Sequence, residues 1–158
     1  MKVFNFKGLY YTTGGSVWIK TRYFEKINIM MDPQTIKITL VNEAPRIVIW
    51  SDAKRATLAT VRDGFDQVET IANGCPVHLI CDLSQSVPPG AETRREIKMG
   101  MDKLEKNNEL ASLGIYVGDN YIIKIAASFI IKIMKYKVEI YESIDLAIES
   151  IKEKYDVG

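Results

Sequence analysis

Few residues in this chain could do chemistry, and most of them fall in one stretch. In ICDLSQSVPPGAETRREIK, residues 80–98, an apolar run ends at Asp82, Ser84 follows, and a Pro/Gly loop leads into a charged segment with Thr93, Arg94 and Arg95. A carboxylate at the carboxyl end of a central strand is where α/β folds place ligand contacts. It can equally accept N–H groups from the loop that follows it. Asp82, with Ser84 beside it, is the candidate for either role. Thr93 is the hydroxyl nearest the two arginines, which could pair a phosphate. Such neighbours on a first helical turn are ordinary, so Thr93 is only a weak phosphorylation candidate. An anion at the helix N-terminus meets two obstacles. Glu92 already occupies that field, and Pro88 and Pro89 remove two donors. SVPPGAE also lacks the glycines and the lysine of a phosphate loop.

The remaining reactive side chains are scattered. His78 is the single histidine. It alternates onto the same strand face as Ile80, where a hydrogen-bonded packing role is expected, and the sequence offers it no partner for a nucleophile–base pair. Cys81 shares the opposite face with Val77 and Leu79 and reads as a buried, inert thiol. Cys75 and Cys81 lie along one extended run and cannot reach each other, so no disulfide is expected. No paired Cys/His spacing suggests a metal. The reading is therefore of a non-enzyme with no catalytic residue, no metal site and no cofactor.

The totals agree with this. At 158 residues the chain is the size of one domain with a core of its own. With 21 basic and 20 acidic residues, it gives no general reason to expect nucleic acid or an anionic membrane as a partner. MKVFNFKGLYYTTGG has neither the apolar stretch nor the cleavage site of a secretory signal. No apolar run approaches the roughly 20 residues of a membrane span. A cytoplasmic protein is expected.

The elements that must position these residues follow from periodicity. Residues 1–30 are rich in aromatic residues, Thr and Gly. They read as an extra strand pair around Gly14-Gly15 or as a loosely attached extension, with the main domain over 31–158. TIKITLVNEAPRIVIWS is an antiparallel hairpin, with Ile36, Ile38 and Leu40 alternating before NEAP breaks the run. From Ser51 the period changes. Leu58, Val61, Phe65, Val68 and Ala72 mark a helical face, with Ser51 or Asp52 as the expected cap and Asn73-Gly74 as the stop. PVHLICDL is a short strand. Ile97, Met101 and Leu104 define a second helix, and LGIYVG a further strand. YIIKIAASFIIKIMK is a helix, KVEIYES a strand, and IDLAIESIKEKY a last helix with Ile144, Ala147, Ile148, Ile151 and Tyr155 on one face. Asp145 and Lys152/Lys154 suit the two ends of its dipole. The alternation predicts an α/β fold with a mixed, mainly parallel sheet, an antiparallel opening hairpin and about four helices.

This order, and some of its phrasing, resembles the bacterial STAS-like domains called SpoIIAA-like or STAS/SEC14-like, over roughly residues 34–156. ASFIIKIMKYKVEIYESIDLAIESIK resembles that family's helix, basic turn, strand and following helix. VHLICDLSQ resembles its central strand. The resemblance implies a regulatory or ligand-sensing module rather than a catalyst. Sigma-factor antagonists of the group switch by phosphorylation of a serine at the start of the helix after the central strand. Ala91 and Glu92 stand at the matching positions here, so that switch is not expected. The SEC14-like kinship implies a small apolar ligand as an alternative.

The helix YIIKIAASFIIKIMK is more apolar than one sheet requires. Ile122, Ile123, Ile125, Ala126, Phe129, Ile130, Ile133 and Met134 take most of its circumference, whereas a helix on a sheet needs an apolar stripe of roughly 100°. The surplus can be covered by residues 1–30, by a second copy of the chain, by an apolar ligand or, least of all, by a membrane. Asp82, Ser84, Ile122, Ala126, Phe129, Ile130 and Ile133 are therefore the expected ligand or partner surface. A homodimer or a protein partner is the leading expectation, and a carrier of an apolar small molecule the alternative.

Overall fold

A computed structural model of the chain describes residues 35–125, 127 and 138–155. The boundary expected after residue 30 and the strand pair expected before it lie outside these residues.

The first two strands, β1 (Lys37–Glu43) and β2 (Arg46–Ser51), form the expected antiparallel hairpin. Ile36, Ile38 and Leu40 pack on one face of the sheet and Val41 on the other, with a register shift between Leu40 and Asn42. Alternation along the strand lets it serve both layers. Strands β3 (Val77–Asp82), β4 (Leu110–Tyr116) and β5 (Val138–Tyr141) then add in chain order, each parallel to its predecessor. The result is a mixed five-stranded sheet in an α/β fold, with three of its four pairings parallel.

The helices between the parallel strands are α1 (Leu58–Ala72), α2 (Ala91–Lys106) and α3, described over residues 121–125 and at 127. Strands added in sequence through crossovers of one hand place their helices on one face. The packing follows that rule. Val61, Phe65, Val68 and Ala72 of α1 and Met101 and Leu104 of α2 meet Val48, Trp50, Val77, Leu79, Cys81 and Leu113. Ile123 and Ala127 of α3 extend the same layer over Ile115 and Val117. Helix α4 (Ile144–Tyr155) crosses the opposite face, where Ala147 and Ile151 cover Ile47 and Ile80.

Helix α1 starts later than its periodicity suggested. The cap is Thr57, in a reciprocal box with Thr60, rather than Ser51 or Asp52. Ser51 is still paired in β2, and the Asp52 carboxylate is drawn away to Ser86. The stop is where it was expected, with Asn73 and Gly74 both at positive φ. The Arg46 guanidinium donates to the carbonyls of Ile71 and Ala72 and so satisfies the end of α1 from a neighbouring strand. Two glycines permit the tight layering. A Cβ on Gly64 would stand 2.6 Å from the Trp50 ring, and one on Gly100 would strike the Phe65 ring. Trp50 and Phe65 are themselves in contact, with centroids 4.9 Å apart.

Candidate functional site

The parallel strands all run the same way, and the loops that leave β2, β3 and β4 converge. Asp82, half-buried at the end of β3, accepts through Oδ1 from the Ser84 N–H at 3.0 Å and from the Ser84 hydroxyl at 2.7 Å. Its carboxylate thus organises the first turn of its own loop. The same loop is held on one side by the segment after β2: the Ser86 hydroxyl donates to Asp52 Oδ2 at 2.8 Å, and the Val87 N–H to the Lys54 carbonyl at 3.0 Å. On the other side Asn120 Nδ2 donates to the carbonyls of Ser84 and Ser86 at 3.3 and 2.9 Å. Asn120 Oδ1 meanwhile accepts the Ile123 N–H, so this one side chain both caps α3 and grips the loop after β3.

Asp52 is the carboxylate whose protonation this edge perturbs. Burial raises its pKa, and the nearby Asp82 charge pushes the same way. Hydrogen bonds from Ser86, the Trp50 side chain and the Ala53 backbone oppose them. The sequence suggested Asp52 only as a helix cap and did not single out Ser86 or Asn120. Their polar atoms bind one another, which makes the edge a three-loop latch. The Ser84 hydroxyl donates to the same Asp82 oxygen that accepts the Ser84 N–H, so the pair closes a local turn.

Thr93 does not present an exposed hydroxyl beside Arg94 and Arg95. It is only 8% exposed, turned under the first turn of α2, while both arginines face solvent. The periodicity explains this: Thr93 lies four residues before Ile97 and eight before Met101, on the face that packs inward. Cys81 is buried and Cys75 exposed, and both are free thiols. Burial, with Asp52 and Asp82 nearby, raises the Cys81 pKa and keeps the thiol protonated. His78 meets Ser112, a partner from β4 that the sequence did not reveal. Among the described residues no group of three His, Cys, Asp or Glu side chains could hold a metal.

The other expected surface begins on α3. Ile123 and Ala127 face the sheet. Tyr121, Ile122 and Ile125 are 73%, 65% and 53% exposed. Ile122 therefore stands on an open apolar face. Ala126, Phe129, Ile130 and Ile133 lie outside the described residues. Among the described residues no helix is long and apolar enough to cross a membrane. No family model matches the chain, and no curated protein is significantly similar to it.

Proposed function

We propose that this chain is a non-catalytic STAS-like interaction module that associates with a second copy of itself through the exposed face at the start of α3. The observation that carries the reading is the grouping of Tyr121, Ile122 and Ile125 on successive turns of one helix, each more than half exposed. Single exposed apolar residues are common on monomers, but contiguous ones mark contact surfaces. A second copy is the occupant best suited to this face. The formal net charge is +1, so two copies approach without long-range repulsion. The latch at the strand ends supports the non-catalytic part of the reading, because its hydroxyls and carboxylates are engaged with one another.

The test is native mass spectrometry of the wild type and of Ile122→Lys, each followed by the denatured spectrum. Ile122 points away from the sheet, so the lysine leaves the core intact. The expected result is a wild-type dimer of polypeptide alone and a monomeric variant. A wild type that stays monomeric at tens of micromolar, or a variant that still dimerises, overturns the reading. Extra mass lost on denaturation would point instead to the SEC14-like alternative, a carrier of a small apolar molecule.

A further inference from the structure

The single histidine sits away from both surfaces described above. His78 lies on the α4 side of β3 and is 5% exposed. Its Nδ1 is 2.8 Å from Ser112 Oγ, and its ring meets the Tyr155 ring with centroids 4.4 Å apart. Lys154 and Tyr155 form the last turn of α4. The Lys154 ammonium is 5.5 Å from the Tyr155 ring centre and donates to Glu139 of β5 at 3.2 Å. On β2 the residue opposite His78 is Ile47. Arg46 of that strand sends its guanidinium to the carbonyls at the end of α1 instead.

We propose that the last turn of α4 is a proton-sensitive clamp, closed on the neutral ring of His78 and lifted when that ring takes up a proton. The hydrogen bond to Ser112 does not decide the matter, because a hydroxyl can donate to a neutral nitrogen or accept from a protonated one. What a proton adds is a charge in a site largely closed to water and close to an ammonium. Burial first, and Lys154 second, hold the His78 pKa below the ordinary histidine value of 6.5. The Tyr155 ring returns part of that cost, since a cation beside an aromatic ring is attracted to it. Lifting the turn removes Lys154 and readmits water, and so relieves both burdens together. Ile151, 3% exposed one turn earlier, keeps the rest of α4 anchored.

The direction with pH follows from linkage. The open form binds the proton more readily, so closure is fully favoured above the ordinary histidine value. It weakens as pH falls through that value and stops weakening below the closed-form value. The opening constant rises about tenfold for each pH unit that separates the two.

The experiment is an NMR titration of the intact protein from pH 8 to pH 4.5. The imidazole Cε1–H signal, necessarily that of His78, is followed together with amide exchange across α4, corrected for intrinsic rates. The expected result is a His78 midpoint below 6.5 and a loss of protection over residues 152–155 that begins in the same range, with Ile151 still protected. Lys154→Gln should move the His78 midpoint upward, and His78→Gln should abolish the pH-dependent loss. A His78 midpoint at or above 6.5 would overturn the proposal. So would protection at residues 152–155 that ignores the titration. Should His78→Gln fail to fold, the wild-type exchange profile decides, and Lys154→Gln, altered at the surface, should move the pH at which its loss levels off upward together with the His78 midpoint.

Discussion

Asp52 is a carboxylate under opposing demands: burial disfavours its charge, while the Ser86 hydroxyl and two further donors favour it. Its raised pKa means that the folded chain holds the Asp52 proton to higher pH than the unfolded chain does. The stability gained from that proton is present in acid and is lost as pH rises through the folded value. Ser86→Ala removes the strongest of the opposing hydrogen bonds and leaves the charge less compensated. Urea denaturation at pH 7 should show the variant about 1.5–3 kcal/mol less stable, the range for a hydrogen bond to a charged group. The deficit should narrow toward pH 4 as the carboxyl protonates. At this scale the sequence was only partly legible. Asp82 could be named because its partner, Ser84, lies two residues away. Asp52 and Ser86 are separated by 34 positions, as are His78 and Ser112, and no local spacing joins them. Asn120 could have been found, because an asparagine just before the apolar run at 121–125 is a cap signal in its own right.

The elements themselves were far easier to read. Alternation at Ile36, Ile38 and Leu40 and helical spacing from Val61 to Ala72 express directly which face each element buries, and these residues are buried or packed on the core. The start of α1 was misread because Ser51 and Asp52 are good capping residues in isolation. A longer-range partner for Asp52 and the pairing of Ser51 in the sheet outweigh that local preference. The glycines of α1 and α2 were equally opaque, since nothing along the chain shows that an aromatic ring lies above each of them. Gly64→Ala should therefore go against helix propensity. Alanine stabilises a helix interior by up to about 1 kcal/mol over glycine, but a methyl group 2.6 Å from Trp50 forces a shift costing about 1–3 kcal/mol. The expected result is a lower thermal midpoint with altered tryptophan fluorescence. A rise in the midpoint would mean that the α1–sheet gap can widen freely.

At the scale of the whole molecule, the mixed sheet and its antiparallel edge were legible because the order of strands and helices constrains topology strongly. Which helix would cover which face was not, since the periodicity of α4 resembles that of its neighbours. If two copies join through the α3 face, unfolding is coupled to dissociation. The chemical denaturation midpoint should then rise with protein concentration for the wild type and stay constant for Ile122→Lys. A midpoint independent of concentration in both would count against self-association. The placement of α4 bears also on how the chain is made. Among the described residues, α4 lays Ala147, Ile148 and Ile151 over Ile47 and Ile80, and all three follow the five strands in the chain. During N-to-C synthesis the central strands can pair while those isoleucines still wait for α4. Among the described residues, that apolar strip thus lacks its helical cover, and is open to chaperone binding or to misassembly, from the time β2 and β3 emerge until α4 does.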